Sequence, residues 1–172
     1  MNRIGEFHKI SFQRYLKDVY KAEDDDQLFL KLIEDEYTNI KIPVRATAGS
    51  AGYDFCSPFD FSLAPGQNFK VPTGIKAAME DGWVLAIFPR SSMGFKYFMG
   101  LANTVGIIDS DYFCSDNEGH IWIKIVNNGD TELTITAGQA FAQGIFLPFG
   151  LTYSDNTNGA RNGGIGSTDA RG

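Results

Sequence analysis

Two short stretches of the sequence carry the side chains best suited to binding an anionic ligand. The longer one, residues 103–112, reads Asn-Thr-Val-Gly-Ile-Ile-Asp-Ser-Asp-Tyr and supplies an amide, two carboxylates and an aromatic hydroxyl. The shorter one, residues 89–92, reads Pro-Arg-Ser-Ser and supplies a guanidinium and two hydroxyls. Glycine and turn-forming residues lie among these side chains and let a ligand approach the backbone. The two stretches predict a site for a small anionic substrate.

The end of the chain permits two interpretations. Residues 154–172 are polar and glycine-rich, which is typical of a disordered tail. Within them, residues 161–168 read Arg-Asn-Gly-Gly-Ile-Gly-Ser-Thr and offer successive backbone N–H groups, two hydroxyls and a guanidinium. A flap that closes over phosphates needs such groups. These residues alone leave both interpretations open.

Taken together, five segments resemble the five sequence motifs of the trimeric dUTP diphosphatases (dUTPases). They occur in the same order and at about the same spacing, and Gly-Ile-Ile-Asp-Ser-Asp-Tyr at residues 106–112 is nearly at the family consensus. The resemblance covers residues 41–168. The five segments are Ala51-Gly-Tyr-Asp54, Pro89-Arg-Ser-Ser92, Asn103 to Tyr112, Gly138-Gln-Ala-Phe-Ala-Gln143 and Arg161 to Thr168.

The resemblance implies hydrolysis of dUTP to dUMP and pyrophosphate, which limits uracil incorporation into DNA and supplies dUMP for dTMP synthesis. This reaction needs a water in line with the α-phosphorus, a base that deprotonates it, and cations that spread the phosphate charge. Asp109 is the expected base. Without the motif, Asp109 could equally close an Asx turn, because Asp-Ser-Asp is a turn-like string.

The second and fourth motifs are expected to bind the phosphates. In the family, the residues that match Arg90, Ser91 and Gln143 contact the phosphates. Arg90 would bind phosphate oxygens, and the Ser91 hydroxyl would donate to the region that bridges the α- and β-phosphates. The alternative for Arg90 is a surface ion pair, which contributes little to stability. Ser92 is also assigned to substrate binding.

The third motif is expected to select the nucleoside. Tyr112 would lie against the deoxyribose, where a 2'-hydroxyl would clash with the ring, so that UTP is excluded; the alternative is a core aromatic. Asn103 and the backbone around Gly106 would read the uracil edge and penalise cytosine by leaving buried polar groups unpaired. Thymine would lack room for its methyl group. Ile108 is assigned to substrate binding as well.

The fifth motif departs from the commonest family pattern. One residue fewer separates the arginine from the glycine pair, and Ile165 stands where a phenylalanine normally stacks on uracil. Ile165 can cover the base but cannot stack on it. Arg161 is expected at the γ-phosphate, with Arg171 as a second possibility. The residues expected to close over the nucleotide are Arg161, Gly164, Ile165, Gly166 and Ser167.

Mg²⁺ is the expected cofactor. It would be held mainly by the triphosphate and water, because the sequence shows no cluster of carboxylates at metal-ligand spacing and Mg²⁺ gives up its water reluctantly. Asp54 is the one residue assigned to the metal, through its water shell, although it could simply end a strand. His8 and His120 lie outside the motifs and are assigned no role.

The elements that must position these residues are predicted to be short antiparallel strands, which indicates an all-β fold: a jelly-roll-like barrel or sandwich of the dUTPase type. Before them, apolar residues at helical spacing predict a helix over residues 11–20, capped by Ser11, and a second over residues 28–33, capped by Asp25 or Asp26. The predicted strands are residues 53–56, 67–71, 74–79, 83–88, 121–127, 132–135 and 140–146.

These elements divide the chain into three parts. Residues 1–40 form a helical N-terminal extension, residues 41–153 form the β core, and residues 154–172 form a mobile glycine-rich lid. Family members are homotrimers in which each site draws its motifs from three chains, so the same assembly is expected here. The extension has two open interpretations: it packs on the trimer surface, or it serves a protein partner. The hairpin after Tyr112, lengthened at residues 115–119, is the other place where a partner would bind.

Composition bounds the function and the location. The chain has 172 residues and a net charge of -6, which argues against general binding to nucleic acid. No apolar run approaches the roughly 18 residues of a membrane helix, so no membrane contact is expected. The two cysteines lack metal-ligand spacing and are expected to be reduced thiols. Without a recognisable signal peptide, the expected location is cytoplasmic.

Two other functions remain as alternatives. One is a phage-type protein with the dUTPase fold that binds a repressor or another protein. The other is a dCTP deaminase, which shares the fold and an Arg-Ser-Ser segment. A deaminase requires a glutamate three residues before the asparagine of the following strand, and Lys124 holds that position ahead of Asn127. The sequence therefore argues against deamination.

Overall fold

Antiparallel β-strands dominate the fold of the described residues. The computed structural model describes residues 2–20 and 27–159. The strands are β1 Gly5–Lys9, β2 Val44–Arg45, β3 Tyr53–Cys56, β4 Phe61–Leu63, β5 Asn68–Pro72, β6 Ile75–Met79, β7 Trp83–Pro89, β8 Met99–Leu101, β9 Gly106–Ile108, β10 Trp122–Asn127, β11 Leu133–Ile135 and β12 Ala140–Pro148.

The strands form one larger sheet and three small ones. The larger sheet has the strand order β2-β3-β12-β7-β9. The small sheets have the orders β5-β10-β8, β11-β4 and β1-β6. Every pairing between these strands is antiparallel. Apolar residues from all of these sheets share one core, which includes Phe55, Leu85, Phe141 and Ile125. The predicted all-β, antiparallel fold class is confirmed.

All seven predicted strands are present, with ends that differ by no more than two residues. The strands that the sequence analysis missed are short or carry few apolar residues. β4, β8 and β9 have three residues each, which is too few for an alternating pattern to be visible. In β1, Gly-Glu-Phe-His-Lys, only Phe7 is buried, so this strand also lacks a hydrophobic period.

The two predicted helices are present. Helix α1, Phe12–Val19, begins after Ser11, whose hydroxyl accepts a hydrogen bond from the backbone N–H of Arg14 as a helix cap does. Helix α2 spans Gln27–Asn39, and its expected caps, Asp25 and Asp26, lie outside the described residues. Helix α3, Ser91–Tyr97, and a 3₁₀ helix, Ser110–Cys114, were not predicted.

The N-terminal segment packs into the same core as the sheets. β1 pairs with β6, Tyr15 of α1 is fully buried, and Ile33 of α2 is 2% exposed. The hydroxyls of Tyr15 and Tyr20 both donate to the Glu36 carboxylate, which joins α1 to α2. The extension thus contains a strand as well as helices. The division of the chain at residues 40 and 153 stays a prediction.

Candidate active site

A cavity of about 240 Å³ lies where β7, β8, β9 and β10 meet. Four residues that the sequence analysis assigned to the nucleoside, Asn103, Gly106, Ile108 and Tyr112, line it together. We call it the Tyr112 pocket. Its remaining lining residues are Ile87, Leu101, Ile107, Trp122, Ile123 and Lys124.

Pairing between β7 and β9 builds one wall of the Tyr112 pocket. Gly106 lies opposite Ile87, and Ile108 lies opposite Leu85. A Cβ atom at position 106 would come within 3.1 Å of the Ile87 Cβ, which is tighter than ordinary packing. The glycine therefore lets β9 lie close to β7 at the pocket wall.

The turn that leads into β9 adopts an unusual backbone conformation. Thr104 has φ 64°, in the left-handed region that a β-branched residue rarely occupies. Its backbone N–H donates to the carbonyl of Leu101 (3.1 Å), and the Val105 N–H donates to the carbonyl of Asn103 (2.6 Å). This turn places Asn103 at the pocket, and such strain is characteristic of functional sites.

Replacing Thr104 with asparagine is expected to raise the free energy of unfolding by about 1 kcal/mol, because asparagine tolerates the left-handed region better than threonine. Denaturant unfolding at fixed protein concentration measures the change. Thr152→Asn is the matched control, since Thr152 is exposed and has no positive φ. Equal or lower stability of Thr104→Asn would contradict the assignment of strain to this turn.

Tyr112 is 5% exposed, and its hydroxyl is held by the protein. The hydroxyl donates to the carbonyl of His120 (2.8 Å) and accepts from Nδ2 of Asn117 (2.8 Å). These two hydrogen bonds hold in place a side chain that lines the cavity. Tyr112 is thus a buried aromatic residue, which was the alternative to a binding role, and it also lines the pocket.

Asp109 occupies the N-cap position of the 3₁₀ helix that carries Tyr112. Its backbone carbonyl accepts from the N–H of Tyr112 (3.2 Å), but its side chain makes no capping hydrogen bond to the helix. The residue is exposed and directly follows Ile108, the last residue of β9, which lines the Tyr112 pocket. The cap of this helix therefore uses the backbone of Asp109 and not its side chain.

The second cluster of predicted residues centres on Arg90, and we call it the arginine cluster. Arg90 follows β7, and its Nε donates to Oδ1 of Asp54 on β3 (3.1 Å). Gln143 on β12 lies opposite Asp54, and its Nε2 donates to the carbonyl of Pro89 (3.1 Å). A Cβ atom at Gly52 would overlap the Gln143 amide oxygen, so the glycine beside Asp54 makes room for this amide.

Two hydroxyls complete the arginine cluster. Ser91 and Ser92 are the first residues of α3, both are exposed, and Arg90 is the N-cap. The backbone carbonyl of Arg90 accepts from the N–H groups of Met93 and Gly94, which fixes the start of the helix beside the guanidinium. A guanidinium, two hydroxyls and an amide around one short segment suit phosphate oxygens.

The arginine cluster does not resemble a metal cage. In residues 2–20 and 27–159, no group of three or more His, Cys, Asp and Glu side chains is placed to hold a metal ion. Asp54 contacts Arg90, which is the ion pair that the sequence analysis weighed for the arginine. This donor set fits Mg²⁺ held by phosphate oxygens and water, with Asp54 at most beside the water shell.

Comparisons with known proteins agree with the motifs. The dUTPase family model matches residues 38–168. Deoxyuridine 5'-triphosphate nucleotidohydrolase of Lactococcus lactis is 43% identical over 134 residues, which are 76% of this chain and 89% of that protein. The chain belongs to the dUTPase family.

Solved structures agree with this membership. The dUTPase from Streptococcus mutans superposes with a TM-score of 0.64 at 34% identity, over 86% of this chain and 98% of that one. A Staphylococcus bacteriophage 80alpha dUTPase, described as controlling transfer of virulence genes, gives a TM-score of 0.59 at 20% identity, over 70% of this chain and 91% of that one. At that identity the phage protein supports the fold alone.

The fifth dUTPase motif lies outside the described residues. Its predicted residues are Arg161, Gly164, Ile165, Gly166 and Ser167, with Arg171 as the second possibility for the γ-phosphate. Their roles stay predictions, as does the mobility of the lid.

Part of the Tyr112 pocket was not predicted from the sequence. Trp122, Ile123 and Lys124 of β10 line it, although none belongs to a dUTPase motif. The sequence predicted β10 as a strand but gave no signal for the face that meets a cavity. It also left His120 without a role, whereas this side chain is fully buried and hydrogen-bonded.

Cys56 and Cys114 are both free thiols, and burial raises the pKa of Cys56. None of the helices within the described part of the chain is long and apolar enough to cross a membrane.

Proposed function

We propose that the protein hydrolyses dUTP to dUMP and pyrophosphate by attack of an Asp109-activated water on the α-phosphorus. The observation that carries the proposal is the Tyr112 pocket, which four motif residues line together, with Ile108 before and Tyr112 after Asp109 in the sequence. The motifs and the family membership of the chain supply the reaction. This reaction removes dUTP before it is used for DNA synthesis and yields the precursor of dTMP.

The Tyr112 pocket would hold the base and the sugar. Pockets for drug-sized ligands have volumes of roughly 300–1,000 Å³, so a cavity of about 240 Å³ suits a nucleoside better than a whole triphosphate. Asn103 and the β9 backbone would bind the uracil edge, and the methyl group of thymine would meet the closely packed wall at Gly106. The Tyr112 ring would leave no room for a 2'-hydroxyl.

The arginine cluster would hold the phosphates. Arg90 uses Nε for Asp54, so its terminal nitrogens are the donors that would bind phosphate oxygens. Ser91 would donate to the bridge between the α- and β-phosphates as charge develops on the leaving pyrophosphate, with Ser92 and Gln143 beside it. Asp54 would keep the guanidinium in place, because it holds one edge of it.

Mg²⁺ would reach the site as the magnesium complex of dUTP. The ion, when bound, neutralises charge on the triphosphate and on the departing pyrophosphate. The side chains described above would bind and orient that complex, and Asp54 would act on it through its ion pair with Arg90. Asp109 would accept the proton of the attacking water.

We further propose that the active protein is a homotrimer with sites shared between chains. The arginine cluster lies at the end of β7 beside β3 and β12, whereas the Tyr112 pocket lies between β7, β8, β9 and β10. Neighbouring copies would bring complementary clusters together. Large exposed apolar side chains favour burial against other copies; Phe95 is 88% exposed, Phe98 66% and Leu151 74%. Residues 161–168 of a neighbour would close over the nucleotide. A cytoplasmic location stays a prediction.

Pyrophosphate release from dUTP, dTTP, dCTP and UTP, each with Mg²⁺, tests the proposed function. Release from dUTP, at a kcat/KM at least about a hundredfold above that for the other three, is expected, because buried groups shaped for one base reject its analogues. No release from any of the four by a folded trimer would contradict it.

The structure bears on two other possible functions. Deamination of dCTP is disfavoured, since Lys124, not a glutamate, stands at the Tyr112 pocket where that chemistry needs a carboxylate. Capture of a protein partner through the N-terminal extension stays a second proposal. Leu28 and Leu32 on α2 are 70% and 62% exposed, which is the feature that favours it.

A further inference from the structure

The N-terminal helix α1 contacts the loop that follows Tyr112, residues 115–120. The backbone N–H and the hydroxyl of Ser11 donate to the two carboxylate oxygens of Glu118 (2.8 and 2.7 Å). Nη2 of Arg14 donates to the carbonyl of Asp116 (2.6 Å). The first turn of α1 is thus fixed to the longer loop, although the two segments are about 100 residues apart in the sequence.

A buried histidine makes the second attachment. Nδ1 of His120 lies 2.7 Å from Oδ2 of Asp18, near the end of α1, and the backbone N–H of Gly74 donates to Nε2 (3.0 Å). Because Nε2 accepts a hydrogen bond, the hydrogen of the neutral ring is on Nδ1 and is donated to Asp18. Arg14 also pairs with Asp18 (3.3 Å).

The charge states agree with this arrangement. Burial lowers the pKa of His120 and outweighs the opposing effect of Asp18. Burial would raise the pKa of Asp18, but the hydrogen bonds from His120 and Arg14 outweigh it and lower that pKa. A neutral imidazole therefore donates to an ionised carboxylate, which is a strong charge-assisted hydrogen bond.

The same loop holds the hydroxyl of Tyr112. The carbonyl that accepts from this hydroxyl belongs to His120, and the amide that donates to it belongs to Asn117. Asn117 is itself fixed by the Ser115 hydroxyl, which donates to Oδ1 (2.7 Å). The chain of contacts therefore runs from Asp18 through His120 to the hydroxyl of Tyr112, a residue that lines the pocket.

The backbone of the loop is strained, so it depends on these contacts. Glu118 has φ 59° and Gly119 has φ 73°, two successive residues in the left-handed region. A Cβ atom at Gly119 would come within 2.8 Å of backbone atoms of Tyr112 and Phe113. A non-glycine residue in this region costs roughly 1 kcal/mol or more, which surrounding contacts must offset.

We infer that Asp18 and His120 are positioning residues that fix Tyr112 against the sugar, so that the N-terminal segment sets the discrimination between deoxyribose and ribose. The inference deepens the proposed function and rests on it. Loss of the Asp18–His120 contact frees the loop, the Tyr112 ring moves, and room for a 2'-hydroxyl appears. Chemistry at the α-phosphorus depends on Asp109 and the arginine cluster, so kcat for dUTP changes less than selectivity.

The ratio of kcat/KM for dUTP to kcat/KM for UTP tests the inference. Asp18→Ala is expected to lower this ratio between roughly 10-fold and 100-fold, since a small displacement of a positioning group has effects of this size. The change should appear as a higher KM for dUTP and a higher kcat/KM for UTP. Asp18→Asn keeps an acceptor for Nδ1–H and should restore most of the ratio. Asp35→Ala, an exposed aspartate of α2, is the matched control.

A second variant keeps the test independent of the fold of Asp18→Ala. Tyr112→Phe retains the ring and removes both hydrogen bonds of the hydroxyl, so it should lower the ratio to a similar extent. The two changes should combine non-additively, because they break one chain of contacts. A wild-type ratio in folded Asp18→Ala, or in Tyr112→Phe, would overturn the inference. Absence of dUTP hydrolysis by the wild type would instead contradict the proposed function itself.

Discussion

Asp109→Asn is expected to lower kcat for dUTP hydrolysis by roughly 10²–10⁴-fold, the usual contribution of a general base. Asparagine has the same shape as aspartate and is an equally good N-cap residue, so the 3₁₀ helix should still begin at this position. What the variant lacks is a basic oxygen to accept the proton of the attacking water. Binding of dUTP should change little, because Asn103 and Tyr112 keep their places.

The same variant separates the two interpretations of Asp109. If the residue only shaped the turn before Tyr112, asparagine would serve as well, because it supports such turns equally. A kcat within about threefold of wild type in a folded Asp109→Asn protein would therefore contradict the general-base role. Asp111→Asn is the matched control: it removes the same charge from the same 3₁₀ helix and should leave kcat within that range. Single-turnover pyrophosphate release gives the rates.

The residues that line the pocket were easier to predict from the sequence than the shorter strands around them. Asn103, Gly106, Ile108 and Tyr112 lie within ten residues, so the turn, β9 and the 3₁₀ helix that carry them keep them close together. Strands such as β7 and β12 were visible because their apolar residues are numerous and continuous. The three-residue strand β8 has no such pattern, and only its pairing with β10 creates it.

The contacts of the N-terminal segment could not be predicted for a different physical reason. The contact between Asp18 and His120 joins residues 102 positions apart, and neither side chain has a distinctive neighbour in the sequence. Helix α1 was predicted from the periodicity of its apolar residues. The residues against which it packs are set by the fold of the sheets, so the helix sequence does not indicate them. A lengthened hairpin was expected at residues 115–119; the structure has a loop there instead, because β9 pairs with β7 and β10 pairs with β5 and β8. Glu118 in this loop accepts two hydrogen bonds from Ser11.

Arg90→Lys is expected to lower kcat/KM for dUTP by roughly 10²-fold, even though the positive charge is kept. Loss of one oriented donor to a developing oxyanion has effects of 10²–10³-fold, and lysine cannot replace the planar fork of a guanidinium. The lysine also lacks the Nε that donates to Asp54, so its ammonium is not oriented by β3. Arg3→Lys, an exposed arginine with no assigned role, is the matched control.

Asp54→Asn then decides what the carboxylate does. If Asp54 acts by orienting Arg90, Asp54→Asn should lower kcat/KM without changing the Mg²⁺ concentration that gives the half-maximal rate. The double variant, Asp54→Asn with Arg90→Lys, should then have the same kcat/KM as Arg90→Lys alone. If it acts through the water shell of the metal, that concentration should rise and the two changes should combine additively. Because Arg90 Nε lies 3.1 Å from Asp54 Oδ1, we expect the first result. A Mg²⁺ titration of the four proteins distinguishes the two roles.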